Sequence, residues 1–139
     1  MGKLRLRRYR PGDEAAFRLR PDFAAARAAV AWDWSKGPPG PTWTLERWNG
    51  EICGVGGGVD RRHGRFQVWA QLADLPARDW PQVLWLAARA LTTLRLRHGA
   101  AFAWANCWCS SPAAALCLRK LGFTPIRRRR GLHYMLKAL

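Results

Sequence analysis

The chain has 139 residues, enough for one domain and too few for two of ordinary size. With 49% apolar and 12% aromatic residues it can close a core, which excludes a disordered tail, and no apolar run approaches the roughly 20 residues of a membrane span. Its charge is the outlying quantity: 24 Lys and Arg against 9 Asp and Glu give +15.

Lys3 to Arg8 alternates basic residues with Leu4 and Leu6, the pattern of a half-buried strand. Pro11-Gly12-Asp13-Glu14 reads as a helix start, with two carboxylates where the dipole favours them, and Ala15, Ala16, Phe17 and Leu19 supply its apolar side. A second, Ala-rich helix is predicted from Pro21 to Trp34, ended by the connection Lys36-Gly37-Pro38-Pro39-Gly40-Pro41. Thr42 to Trp48 reads as a strand, Asn49-Gly50 as a hairpin turn, and Glu51 to Val59 as the returning strand. The glycines at 54, 56, 57 and 58 imply a bulge or a close approach by another group. They do not form a phosphate loop, because no helix and no G-K-[ST] follows. Asp60 to Gly64 turns the chain, and Arg65 to Leu72 alternates as a third antiparallel strand.

Asp79-Trp80-Pro81-Gln82 opens a strong helix, with Asp79 as the expected cap, Gln82 completing a capping box, and Gly99 as the stop. Val83, Ala87, Ala90 and Leu94 mark its inner face. Ala100 to Trp108 is a strand with Phe102, Trp104, Asn106 and Trp108 on one side. Ser110-Ser111-Pro112 caps a short helix that Gly122 ends, and a closing hairpin turns at Arg130-Gly131. The order β-α-α-β-β-β-α-β-α-β-β defines a single α/β domain over 1–139, a mixed and mostly antiparallel sheet flanked by helices.

Residues 1–30, 31–60, 61–99 and 100–139 carry net +5, −2, +5 and +7, and the last segment holds no carboxylate. Such a field attracts nucleic acid, an acidic protein or a phosphorylated small molecule. Arg127-Arg128-Arg129-Arg130 is its densest part, and alternation turns at least one of these toward the covered side or the edge of the sheet. Most of the nine tryptophans are expected in the core, with any rim tryptophan beside an arginine able to stack a base. Cys107 and Cys109 share one side of a strand end, Cys53 and Cys117 are isolated, and His63, His98 and His133 stand at no ligand spacing. No metal site is implied. A thiol-redox reading rests on Cys107 and Cys109 alone. The opening residues lack the apolar stretch of a secretory signal, and Leu6 stands where a myristoylation motif needs Ser or Thr, so a cytoplasmic protein without a membrane role is expected.

This order, with Ser111-Pro112-Ala113-Ala114-Ala115-Leu116-Cys117-Leu118-Arg119-Lys120-Leu121-Gly122-Phe123 near its end, resembles the GNAT (Gcn5-related) N-acetyltransferases. The likeness reaches the N-terminal Arg8-x-Arg10-Pro11-Gly12-Asp13. A narrower resemblance is to small GNAT-like proteins of tailed phages and prophages, carried by Arg20-Pro21, Gly40-Pro41-x-Trp43-Thr44 and Gly50-Glu51-Ile52-Cys53-Gly54-Val55-Gly56-Gly57.

The resemblance implies acetyl-CoA as cofactor and acetyl transfer to an amine. The pantetheine arm would lie between the strands at Phe66–Leu72 and Ala100–Trp108, with coenzyme contacts at Ala70, Gln71, Leu72, Arg78, Gln82, Asn106 and Ser111. Catalytic candidates are Glu46 and Asp74 as general bases, with Asp60 a further carboxylate, and Tyr134 as an acid. The family's acidic tyrosine position holds Leu118. The coenzyme loop also departs from the family pattern, with no glycine between Gly64 and Gly99, and Asp79 is expected to compete with phosphate for the helix N–H groups. The alternative reading is a catalytically inactive GNAT-fold module that docks nucleic acid or an acidic protein through its basic ends.

Overall fold

A computed structural model describes residues 4–21, 34–108 and 112–139. The alternating N-terminal segment forms β1 (Leu4–Arg8), which pairs antiparallel with β2 (Thr42–Arg47). The chain then runs as a meander through β3 (Ile52–Asp60) and β4 (Arg65–Leu72). Helix α1 (Trp80–His98) carries the chain to β5 (Phe102–Trp108), which lies parallel to β4. Helix α2 (Pro112–Lys120) and the hairpin β6 (Thr124–Arg129) and β7 (Leu132–Ala138) complete one seven-stranded sheet of order β1-β2-β3-β4-β5-β7-β6.

Pairing register fixes the two faces. Leu4, Leu6 and Leu45 share a face with Phe66 and Met135, and both helices cover it. Helix α1 buries Val83, Leu86, Leu91 and Leu94 there, and Ala114, Ala115 and Leu118 of α2 pack on Ala103, Ala105 and Met135. Arg5, Arg7, Thr44, Glu46, Val55, Gln67, Trp104, Asn106 and Tyr134 occupy the opposite face. Gly99 takes φ 71° and closes α1, as its lack of a Cβ allows.

The β3 glycines serve close approach. A Cβ on Gly57 would meet Pro41 O and, at 2.9 Å, Thr42 Oγ1, and one on Gly54 would stand 2.8 Å from Gln71 O. The register shift in this hairpin lies at Leu45/Glu46 instead.

Three expectations need correction. The predicted helix after Pro11 is a single 3-10 turn, Asp13–Ala15. Gly12 enters it at φ 97°, and the Asp13 carboxylate is drawn into the sheet by Arg7, so the chain cannot continue as a surface helix. Trp48 and Trp85 stand 62% and 56% exposed rather than in the core. Every residue of β6 is exposed, at the edge of the sheet. Asp79 occupies the N-cap position of α1 without a side-chain cap bond. The Ala-rich stretch Pro21 to Trp34 and the cap at Ser110-Ser111 lie almost wholly outside the described residues, as does Cys109. Among the described residues no helix is long and apolar enough to cross a membrane, and no His/Cys/Asp/Glu group could hold a metal.

Candidate active site

β4 and β5 begin as neighbours and then part. Arg65, Phe66 and Gln67 pair with Phe102, Ala103 and Trp104, and there the ladder stops. β4 runs on for five residues with β3 as its only strand partner, and β5 continues to Trp108 with β7 as its only strand partner, among the described residues. Two parallel strands joined at one end only enclose a V-shaped gap.

Ladder alternation shows what β4 offers to that gap. Ala73 N–H donates to Cys53 O at 2.8 Å, so Gln71 and Trp69 turn their main chain to β3, while Val68, Ala70 and Leu72 turn theirs away from it; the Gln67–Trp104 pairing takes up Val68 N–H, so the gap begins at Val68 C=O. Ala70 and Leu72 are therefore main-chain edge positions, and Gln71 can reach the site only with its side chain. At the far end Leu72 O accepts Arg20 N–H at 2.9 Å, and Leu19 bridges Ala73. The Arg20 guanidinium covers Trp80 at 5.6 Å, so this pair stands at the end of β4.

The segment between β4 and α1 is where a diphosphate would meet the helix N-terminus. A 3-10 turn, Ala77–Asp79, leads into the helix and bonds Asp79 N–H to Pro76 O and Trp80 N–H to Ala77 O. Pro81 has no N–H. Ala77 and Arg78 keep free N–H groups, and the Arg78 side chain is exposed without a partner among the described residues. The Asp79 carboxylate lies 2.8 Å from Arg47 Nη2 and makes no bond to these N–H groups. The expected competition between Asp79 and phosphate therefore does not arise in that form.

Gln82 is turned elsewhere: its amide bonds both main-chain groups of Leu4, at 3.3 and 3.2 Å, and faces β1 rather than the gap. Asn106 is exposed on β5 beyond the split, with Tyr134 directly across from it on β7. Arg127 lies over the Tyr134 ring at 4.7 Å. Ser111 is outside the described residues.

Of the carboxylates, Glu46 is 4% exposed and bonds Arg5 Nε at 2.7 Å and Arg7 Nε at 2.8 Å. Hydrogen bonding from Arg7 holds it below the ordinary glutamate range against the opposing effect of burial. A carboxylate so engaged is a weak base. Asp74 is exposed after β4 and has no partner among the described residues, and Asp60 Oδ1 accepts Arg62 N–H at 2.8 Å in its turn. Burial pushes the Cys53 and Cys117 thiols up, which makes them poor nucleophiles. The Arg7–Asp13–Thr44 connection that organises the Glu46 side of the sheet carried no local signal, since Asp13 and Thr44 are 31 positions apart.

A meander, a parallel β4–β5 pair split at one end, and, among the described residues, two helices on one face of the sheet match the GNAT fold. Solved structures agree. A point mutant of the spermidine N-acetyltransferase SpeG from Vibrio cholerae superposes with TM-score 0.74 at 12% identity, over 98% of this chain and 94% of that one. A GCN5-related N-acetyltransferase from Kribbella flavida gives 0.72 at 18% identity, over 99% and 98%. The Vibrio cholerae enzyme in complex with CoA and spermine gives 0.67 at 11%, over 98% and 95%. No protein-family profile and no curated protein matches the sequence.

Proposed function

We propose that the chain is an acyltransferase of GNAT type that takes acetyl-CoA in the β4–β5 gap and acetylates an amine. The carrying observation is the split itself, which leaves the Val68 C=O and both main-chain groups of Ala70 turned away from β3 with no strand partner among the described residues. The likeness to acetyltransferases, one of them crystallised with CoA and spermine, supports the same reading.

The residues present fit the coenzyme unevenly. The gap suits an extended pantetheine arm, which needs exposed strand main chain. The diphosphate end has no glycine cradle and relies on the N–H groups of Ala77 and Arg78 and on the Arg78 guanidinium. Bound acetyl-CoA supplies a thioester whose acyl carbon is open to attack by a neutral amine. The protein's part is alignment of donor and acceptor, worth several kcal/mol on the order of 7–11 in well-oriented systems. Asp74 is the carboxylate we assign as base for the amine proton, and the Tyr134 hydroxyl, next to Asn106, is the acid for the departing sulfur.

Calorimetry with acetyl-CoA tests the reading. Wild type is expected to bind, Ala70→Pro to lose about tenfold or more by deleting a gap-facing N–H that no strand uses, and Arg78→Ala to weaken by a similar factor. No heat at millimolar acetyl-CoA would overturn the proposal.

A second reading rests on β6. It is exposed at all six positions and runs into four consecutive arginines, and no Asp or Glu occurs from Trp80 to Leu139. A nucleic acid docked there would show affinity falling steeply with salt. Salt-insensitive or absent binding to DNA and RNA would remove it.

A further inference from the structure

β1 is the outermost strand of the sheet, and its ladder decides which main-chain groups are spent. Tyr9 N–H donates to Thr42 O at 3.1 Å, so Arg5 and Arg7 bond β2 while Leu4, Leu6 and Arg8 turn outward. At Leu4 the outward pair is met by a side chain. Leu4 N–H donates to Gln82 Oε1, and Gln82 Nε2 donates back to Leu4 O. The glutamine amide does for one residue what a neighbouring strand does for many. Arg8 O accepts from Arg7 Nη1 at 2.9 Å. Leu6 N–H and C=O are left without a partner among the described residues.

Leu6 lies in a groove of about 390 Å³ that follows this edge. Trp85 and Arg89 of α1 line it on the helix-covered face, and Arg5 and Trp48 line it on the other. Each exposed tryptophan lies beneath an arginine, Arg5 over Trp48 at 4.8 Å and Arg89 over Trp85 at 4.9 Å. Among the described residues no carboxylate lines the groove.

We infer that this edge accepts an extended acidic segment of a partner protein as an eighth strand. The free pair on Leu6 calls for a partner with alternating N–H and C=O groups at strand spacing, which a polypeptide has and a nucleic acid lacks. Successive side chains of an added strand fall to opposite faces. One set would meet Trp85 and Arg89, the other Arg5 and Trp48, so carboxylates are favoured on both. Glu46 offsets part of the Arg5 charge, which leaves Arg89 and the exposed Arg8 to carry the surplus. A second copy of this chain is disfavoured, since it brings +15 against +15. Two strands separate β1 from β4, so the inference stands independently of coenzyme binding in the gap.

The test is anisotropy titration of the full chain with a labelled ten-residue peptide in which Glu-Glu and Val-Val pairs alternate, so that each face of the strand carries glutamates. Binding is expected, weakened about tenfold by Trp85→Ala and by Leu6→Pro. The proline removes an outward N–H and no β2 bond. N-methylation of alternate peptide nitrogens should abolish binding, and this arm holds even if Leu6→Pro fails to fold by circular dichroism. Equal affinity for the N-methylated peptide would reduce the effect to charge and overturn the inference. So would no binding at all, displacement of the peptide by a ten-residue oligothymidylate, or a dimer in sedimentation that Leu6→Pro dissolves.

Discussion

Arg7 holds two buried carboxylates at once. Its Nη1 and Nη2 bond Asp13 at 2.8 and 3.1 Å and its Nε bonds Glu46 at 2.8 Å, while Thr44 Oγ1 donates to Asp13 at 2.6 Å. This network takes the place of the surface helix that Pro11-Gly12-Asp13-Glu14 predicts, and it ties the chain after β1 back onto β2. Burial works to raise the Asp13 carboxyl, but the bonds from Arg7, Thr44 and Arg10 N–H together hold it below its ordinary range, and Glu46 is lowered mainly by Arg7. Both folded values lie under the unfolded ones. Their stabilisation is therefore complete above about pH 5 and is lost as pH falls through the folded values. Thermal melts are expected to show a steep acid limb below pH 4. Arg7→Ala, which leaves two buried carboxylates short of a partner, should cost about 3 kcal/mol at pH 7 and flatten that limb. An unchanged limb would show that the network does not set acid stability. None of this was legible in the sequence, because its partners come from separate segments and the residues taken singly look like a helix start and a strand glutamate.

At the scale of elements, strands were readable wherever alternation met a turn signal. β1, the Asn49-Gly50 hairpin, β4 and α1 with its Gly99 stop all follow from period and punctuation. The glycines of β3 were readable as a close approach but not as to what approaches: Pro41 O, at the entry to β2, accepts Gly58 N–H at 3.0 Å and crowds Gly57. Gly57→Ala is expected to destabilise by about 2 kcal/mol, because the new Cβ meets backbone that cannot rotate away. Denaturant unfolding measures this, and Gly50→Ala serves as the strained-turn comparison, its φ of 91° meeting open space. The gap between β4 and β5 was legible only through the order of elements. The split between β4 and β5 depends on where a parallel ladder stops, and no residue type marks that point. The role of Asp79 was misread for a related reason: the cap position is local, whereas Arg47 comes from another strand.

For the whole molecule, the +15 divides into charges that are spent and charges that are free. Arg5, Arg7 and Arg47 are engaged by Glu46, Asp13 and Asp79, and these three pairs consume the buried carboxylates of the described residues. An acceptor carrying several positive charges would thus approach a strongly positive body whose best anionic sites are already occupied. We expect acetyl transfer to favour an amine borne on an acidic or weakly charged molecule. At low salt, kcat/KM should fall from an acidic peptide with a free N-terminus, through an amino sugar, to a linear triamine. The order follows from long-range field rather than contact, so it must compress with screening. Raising salt from about 0.01 to 1 M shortens the Debye length from about 30 to about 3 Å, and the three acceptors should then converge within severalfold. A triamine that remains the best acceptor at low salt would mean that anionic groups outside the described residues form the acceptor site, and that net charge does not govern its choice.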